Sequence, residues 1–413
     1  MSSIRYWTWL SALPGIRSVS LRELLEHYGS PTELYFTPSE EYERLSFLNE
    51  RERASLSDKA LRNADAIMET CERQGIRIMT RQDADYPSLL SQIYDPPAVL
   101  YLRGRLPFVD ESPAVAIVGT RRCSVYGEKM ALRIGYQLVK GGGIVVSGLA
   151  LGIDGAGAKG ALMAGGRVVG VLGTAIDVAY PSANASLIED VASVGCVISE
   201  YPPGSRIANF PRRNRILSGL ANGVCVVEAP VKSGALITAN DALEQGRDLF
   251  VVPGNADNPS CAGSNALLRD CARMVTGGAD ILEEYRGRFA VRPNEARPYP
   301  LTHSDAVPEE ERIAEAEAEA EESAPHPTVE EKSEADGIDK SAPIQYIDLE
   351  TRLKDCSEAQ IVLARILQKG ERHADELIEE SGFSAAKTMA ELTLLCIRGI
   401  AAAKPGKRYI LKE

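Results

Sequence analysis

The chain has 413 residues, 44% of them hydrophobic and 25% charged, which predicts two or three globular domains. No apolar run reaches the ~18–20 residues of a membrane span and the first fifteen residues do not resemble a secretion signal, so we expect no membrane span and a cytoplasmic location. The net charge of −12 arises within residues 305–339, which hold fourteen acidic and two basic residues. The remaining chain is neutral overall, so the net charge does not exclude a nucleic-acid partner.

Cysteine and histidine positions bear on catalysis and metal binding. The eight cysteines form no C-x-x-C pair, and none of the four histidines lies between residues 28 and 302, where the glycine-rich motifs occur. Zinc sites and Ser-His or Cys-His nucleophiles require such residues in suitable patterns. We therefore expect reduced, mostly buried thiols, no metal ion, no cofactor and no catalytic residue.

Residues 1–75 have a polar, helical pattern. LPGI at 13–16 precedes an amphipathic run that begins at Ser20 and stops at Gly29. This region predicts a small helical domain.

Residues 76–290 alternate short β-branched runs with helical stretches. The runs are apolar at every position, which is typical of parallel strands covered by helices on both faces. The sequence therefore predicts an α/β fold, a Rossmann-like doubly wound sheet that binds its ligand at the carboxyl ends of the strands. The predicted strands are 114–118, 143–147, 168–172, 196–199, 224–229 and 249–254.

The first strand runs into a basic loop, GTRRCSVYG at 119–127. This loop lacks the G-x-G-x-x-G fingerprint of dinucleotide-binding proteins and contains Arg121, Arg122 and Ser124 instead. Fixed positive charge suits a phosphodiester chain at least as well as a small cofactor. The alternative is a structural loop with solvated arginines.

The second strand leads into a glycine-rich helix start. Gly148 and Gly152 permit close backbone approach to an anion there, although tight packing explains the same glycines. No G-x-x-x-x-G-K-[ST] motif occurs, so P-loop nucleotide hydrolysis is not expected. Four acids follow strands in this region and could supply an acid/base pair: Asp154, Asp177, Glu200 and Glu228. The alternative for the two aspartates is a role as helix caps and turn formers.

The segment 201–227 is basic, contains no acidic residue and interleaves arginines with aromatic residues. Arginines follow a phosphate backbone, and aromatic rings stack on bases without sequence preference. A solvated basic face is the alternative. The residues concerned are Arg206, Arg212, Arg213, Arg215, Tyr201 and Phe210, and Lys232 follows the next strand.

The last two regions differ sharply in composition. Residues 291–345 contain Pro, Ala and Glu with few large apolar side chains, which predicts a disordered acidic linker. Residues 346–413 regain helical periodicity, with a capping-box pattern at Ser357 and Gln360. Two further helices and a terminal hairpin around KPGKRYIL predict a winged-helix domain.

Taken in order, these motifs resemble the DNA-processing protein A (DprA/Smf) family. The matching strings include AIVGTRRCSVYG, VSGLALGID, VLGTAIDVAYPSAN, FPRRNRILSGL, SGALITA and GSN, and they span nearly the whole α/β region. The N-terminal LPGI and its helix resemble the family's SAM-like or helix-hairpin-helix module. The tail is similar to the family's winged-helix domain.

The resemblance implies a non-enzymatic recombination mediator. Such a protein binds single-stranded DNA, protects incoming DNA during natural transformation and helps to load the RecA recombinase against single-strand-binding protein, acting as a homodimer. Arg121 corresponds to the principal phosphate contact in this comparison. The full set of expected DNA-binding residues is Gly119, Arg121, Arg122, Ser124, Ser147, Gly148, Arg212, Arg213, Asn214, Arg215, Lys232 and Thr238.

Two other functions stay open at this point. The Rossmann-like pattern and glycine-rich helix starts are also compatible with a nucleotide-binding or nucleotide-processing protein. The apolar third helix of the predicted winged helix favours contact with protein over contact with DNA, so an interaction scaffold is the other possibility.

Overall fold

The computed structural model describes residues 3–289, 293–297, 299, 357–370, 372–383, 388, 391–392, 395, 400–404 and 408–411. They belong to two compact units, Met1–Pro327 and Thr328–Glu413. The N-terminal part of the first unit is helical. Its helices are α1 (Ile4–Ala12), α2 (Ser18–Tyr28), α3 (Pro31–Phe36), α4 (Ser39–Tyr42), α5 (Glu50–Ser57) and α6 (Arg62–Gln74).

Local capping explains where these helices begin and end. Asn49 and Glu52 form a reciprocal capping box at the start of α5, and Gly75 ends α6 in a left-handed conformation. Trp7 of α1 and Ile67 of α6 are buried in the same apolar core as one face of the sheet. The helical region therefore packs directly on the α/β region that follows it.

A nine-stranded sheet forms the centre of the first unit. Its order is β1-β2-β6-β5-β4-β3-β7-β8-β9. Strands β3 to β9 are parallel to one another, while β2 runs antiparallel to both of its neighbours, β1 and β6. The strands are β1 (Arg77–Thr80), β2 (Val99–Gly104), β3 (Ala114–Val118), β4 (Ile144–Ser147), β5 (Val168–Ala175), β6 (Cys196–Tyr201), β7 (Gly223–Val226), β8 (Asp248–Val251) and β9 (Arg273–Met274).

Helices cover both faces of this sheet, and apolar clusters fill the space on each side. This arrangement confirms the predicted mostly parallel α/β sheet, because each predicted run coincides with one of the strands β3 to β8. Among the described residues, no helix is long and apolar enough to cross a membrane. The helices of this region are α7 (Ser88–Ser91), α8 (Val125–Lys140), α9 (Ile153–Met163), α10 (Ala185–Val194), α11 (Phe210–Leu220), α12 (Gly234–Glu244), α13 (Ala262–Asp270) and α14 (Gly278–Glu283).

The chain stays attached to the first unit beyond residue 290. The amide of Asn294 donates to the carbonyl of Lys140 at 2.9 Å, and the amide of Tyr299 donates to the carbonyl of Leu162 at 3.1 Å. The first bond satisfies a carbonyl at the end of α8 that has no partner within its own helix. The Leu162 carbonyl also accepts from the Gly165 amide at 2.9 Å, so the Tyr299 bond adds to a local one. Most of the predicted acidic linker lies outside the described residues.

The second unit contains α15 (Glu358–Leu367), β10 (Arg372–His373), α16 (Ala374–Ser381), β11 (Ala401–Lys404) and β12 (Arg408–Leu411). The predicted capping box is present, since Ser357 accepts from the Gln360 amide and Gln360 accepts from the Ser357 amide. β11 and β12 pair antiparallel, as predicted for the hairpin, and β10 extends the sheet on β12. Much of the predicted third helix falls outside the described residues.

Candidate nucleic-acid interface

The loops that follow the parallel strands meet at one edge of the sheet. Parallel strands bring their carboxyl ends to the same edge, and the strand order reverses direction between β3 and β7, which is where ligands bind in such sheets. Every motif noted after a predicted strand therefore lies along this carboxyl edge. The loops are 119–124, 148–152, 176–184, 202–209, 227–233 and 252–258.

A buried carboxylate joins the loops after β3 and β7. Glu228, 1% exposed, accepts hydrogen bonds from the Ser124 hydroxyl at 2.7 Å and the Ser124 amide at 3.1 Å. The same hydroxyl accepts from the Gly127 amide at 3.1 Å, which caps α8. The positive end of α8 is thus already neutralised by the protein's own carboxylate. Because Glu228 and Ser124 occupy this helix start, a pyrophosphate would not bind there, which weighs against a dinucleotide site of the Rossmann type.

Arg213 and Asp154 lie beneath the loop after β4. Arg213 is 6% exposed, and its Nη1 donates to the carbonyl of Gly148 at 2.9 Å and to the carbonyl of Val171. The Asp154 carboxylate accepts from the Gly148 amide at 3.1 Å. Arg213 therefore stabilises the loop after β4 by a hydrogen bond from the protein interior.

Burial dominates the ionisation of this pair. Desolvation raises the pKa of Asp154 to about 6, although Arg213, Arg121 and backbone amides oppose the rise. Desolvation also lowers the pKa of Arg213 to about 10, against the attraction of Asp154. The charge on each group lowers the cost of burying the charge on the other.

Three other expected DNA-binding residues are also buried. Ser147 is fully buried, and its hydroxyl donates to the Asp154 carbonyl at 2.9 Å and accepts from the Leu149 amide at 3.1 Å. Thr238 is 2% exposed and Asn214 is 8% exposed. These three side chains therefore lie beneath the surface of the carboxyl edge.

Arg212 and Arg215 are paired with acids. Arg215 Nη2 lies 2.7 Å from Glu200, and its Nε lies 3.0 Å from Asp95. Arg212 also contacts Glu200, at 3.1 Å. The segment 201–227 contains no acid, but acids from β6 and the loop before β2 neutralise two of its arginines.

Positive charge and aromatic rings meet at the partly exposed residues of the edge. The Arg121 guanidinium lies 5.7 Å from the centroid of the Phe210 ring, within cation–π range. The Tyr180 ring lies 5.0 Å from Phe210 with an interplanar angle of 36°. Tyr201 is 9% exposed in β6 and does not join them. Three further cations are exposed on neighbouring loops, namely Arg122, Arg206 and Lys232.

Glycines let these parts approach closely. A Cβ on Gly119 would lie 2.8 Å from the Glu228 carbonyl, and one on Gly148 would lie 2.5 Å from both Arg213 and Asp154. The sequence places Asn184 after a strand but does not predict its contact with the neighbouring loop, where its amide donates to the carbonyls of Leu149 and Ala150 at 2.9 and 3.0 Å. An asparagine after a strand reads as an ordinary turn former, so no local signal distinguishes it.

Comparisons with known proteins agree with this architecture. The family model described as DNA recombination-mediator protein A matches residues 77–286. Protein Smf of Synechocystis sp. is 37% identical over 283 residues, covering 67% of this chain and 69% of that protein. DNA processing protein DprA of Streptococcus pneumoniae is 42% identical over 205 residues, covering 49% and 72%.

A solved structure extends the similarity to three dimensions. The X-ray structure of DNA processing protein A from Streptococcus pneumoniae superposes with a TM-score of 0.61 at 34% identity, covering 69% of this chain and 99% of that chain. The region matched by the family model contains the whole nine-stranded sheet and all six loops of its carboxyl edge. The chain therefore belongs to the DNA recombination-mediator protein A family.

Proposed function

We propose that this protein is a recombination mediator that binds single-stranded DNA along the carboxyl edge of its sheet. The observation that carries the proposal is the contact of Arg121 with Phe210, which continues to Tyr180. In this arrangement the guanidinium can bind a phosphate while the two rings stack on the neighbouring bases. Stacking on such rings is sequence-tolerant and is worth about 1–3 kcal/mol per base.

The expected DNA-binding residues then divide by exposure. Arg121, Arg122 and Lys232 contact phosphates, and Arg206 extends the same basic surface. Ser124 ties the first loop to Glu228. Gly119 leaves room for the Glu228 carbonyl, and Gly148 leaves room for Arg213 and Asp154. The remaining residues do not contact the DNA. Buried side chains position the loops, namely Ser147, Arg213, Asn214 and Thr238, and Arg212 and Arg215 form ion pairs with acids of the protein.

Membership of the family supports further proposals about the cellular role. The protein protects incoming DNA in the cytoplasm during natural transformation, and it loads RecA onto strands covered by single-strand-binding protein without catalysing a reaction itself. It acts as a homodimer. The C-terminal unit is a winged helix that contacts protein, a proposal supported by its helices and three-stranded sheet.

The direct test is fluorescence anisotropy with a labelled single strand and the matched duplex over a salt series. The native chain is expected to prefer the single strand. Arg121→Ala should weaken binding and reduce the slope of log affinity against log salt by about 0.7, the contribution of one phosphate contact. The matched control is Arg286→Ala, because Arg286 is 76% exposed and follows α14, which packs on the far end of α8.

Thermal unfolding of each variant controls for loss of structure. If Arg121→Ala bound DNA as tightly as the native chain, the carboxyl edge would be excluded as the DNA-binding site. Failure of the native chain to bind either oligonucleotide at low salt would remove the DNA-binding proposal itself. The loading role needs a separate assay, in which the protein is expected to accelerate RecA filament formation on strands covered by single-strand-binding protein.

A further inference from the structure

A cleft of about 390 Å³ opens on the carboxyl edge beside the first basic loop. Its volume falls within the ~300–1,000 Å³ range of small-molecule sites. One wall comes from the start of α8 and the other from the loop after β8. The cleft is lined by Ser124, Tyr126, Pro253, Gly254, Asn255 and Asn258, with Cys261 beside Gly254.

Hydrogen bonds hold both walls in place. The Tyr126 hydroxyl donates to the Pro253 carbonyl at 3.1 Å, so the ring is tied across the cleft while it stays 49% exposed. The Asn265 side chain accepts from the Gly254 amide at 3.1 Å and donates to the Gly254 carbonyl at 3.2 Å. The site is therefore largely formed before a ligand arrives, which lowers the entropic cost of binding.

The lining chemistry is neutral, aromatic and amide-rich. Among the residues that the structure describes, no lysine, arginine, aspartate or glutamate lines the cleft. The Asn255 side chain is exposed and makes no hydrogen bond to another described residue. Asn258 accepts from the Ser260 amide through Oδ1, which leaves its Nδ2 hydrogens for a ligand. An uncharged planar ring with donors and acceptors on its edge fits this lining, whereas a phosphate does not.

We propose that this cleft binds one nucleobase of the bound single strand. The inference rests on the proposed function, because the phosphates of the same strand would lie on Arg121 and Arg122. Loop 119–124 carries these cations at one end and borders the cleft at Ser124. The base stacks on Tyr126, and the amides of Asn255 and Asn258 bond to its edge.

The test compares a thymidine oligonucleotide with an abasic strand of equal length, which keeps the phosphates and lacks the bases. Tyr126→Ala is expected to weaken binding of the thymidine strand about 5- to 100-fold, the range for loss of one base–aromatic stack, and to leave binding of the abasic strand unchanged. Tyr126→Phe keeps the ring and should bind the thymidine strand nearly as well as the native chain. Asn255→Ala should weaken only the thymidine strand, by about 2- to 10-fold.

Tyr136→Ala is the matched control, because Tyr136 lies on the same helix, is 37% exposed and does not line the cleft. The inference is overturned if Tyr126→Ala weakens both strands equally or neither strand. If the native chain binds neither strand, both the base site and the proposed DNA-binding function are contradicted. Native binding of both strands with no selective loss in Tyr126→Ala overturns the base site and leaves DNA binding at the carboxyl edge intact.

Discussion

Arg213 and Asp154 face each other across the backbone of Gly148. Arg213 Nη1 and Asp154 Oδ2 each lie 2.5 Å from the position of a Cβ on Gly148, which places the two atoms within about 5 Å of each other. One group donates to the Gly148 carbonyl and the other accepts from its amide. The loop after β4 is therefore held from both sides by opposite buried charges.

Gly148→Ala is expected to destabilise the protein because the added methyl group would separate these charges. Overpacking of this kind costs about 1–3 kcal/mol. Chemical denaturation should show this loss in the free energy of unfolding. Gly234→Ala is the matched control, since Gly234 begins α12 at the same edge and has no atom within 4 Å of the added Cβ. Equal stability of Gly148→Ala and Gly234→Ala would contradict the packing described here.

Glu228 and Ser124 are expected to act as a coupled pair. Glu228→Gln would turn amide hydrogens toward the Ser124 donors and remove the negative charge at the start of α8, at a cost of about 1–3 kcal/mol. Ser124→Ala alone should cost about 1 kcal/mol as a lost helix cap. A double-mutant cycle should give a coupling energy above about 0.5 kcal/mol. Additive effects of the two substitutions would show that the contact contributes nothing of its own.

Substitutions of Arg215 and Arg121 should have opposite effects, one on the free energy of unfolding and the other on DNA binding. Arg215→Gln removes the partner of Asp95 and one of the two partners of Glu200. Their side chains are only 21% and 13% exposed, so the free energy of unfolding should fall by about 3 kcal/mol. The salt slope of DNA binding should not change, because this charge is already neutralised. Arg121→Ala should show the reverse pattern, with a lower slope and a near-native melting temperature. If the fully folded Arg215→Gln variant showed a reduced salt slope of DNA binding, Arg215 would have to contact a phosphate.

Sequence patterns predicted the parallel strands well because buried parallel strands are apolar at every position. The run 114–118 coincides with β3, and all five of its residues are buried. β1 and β9 escaped prediction because they are short edge strands with exposed residues. The antiparallel position of β2 between β1 and β6 depends on pairings across the fold and leaves no local pattern.

The carboxyl edge was predictable in location but not in side-chain role. Arg121 and Phe210 stand out in sequence as a cation and an aromatic residue that follow strands. The pairing of Arg215 with Asp95 joins residues 120 positions apart, and no periodicity reveals such a contact. Burial of Arg213 is equally hidden, since its neighbour Arg212 in the same helix turn is 32% exposed.

Lys59 gives the N-terminal helices a pH-dependent contribution to stability. Its Nζ lies 5.0 and 4.8 Å from the ring centroids of Trp9 and Tyr42, and it donates to the Tyr42 hydroxyl at 2.5 Å and the Leu34 carbonyl at 3.2 Å. Burial lowers the pKa of this ammonium to about 8 from its usual 10.5. Between these values the unfolded chain binds more protons than the folded one, so the contribution of Lys59 to stability rises with pH across this window.

Comparison with Lys59→Met isolates this effect. Burial raises the pKa of the Cys71 thiol to about 11 and that of Cys196 to about 12, so these groups lower stability as the pH rises, but they do so equally in both proteins. The native chain should therefore gain free energy of unfolding relative to Lys59→Met from pH 7.5 to 9.5 in urea titrations. Because the ammonium is only half-buried, the gain should stay well below the one-proton limit of about 1.4 kcal/mol per pH unit. A constant difference over this range would mean that Lys59 titrates at its ordinary pKa and that the surrounding rings do not exclude water from it.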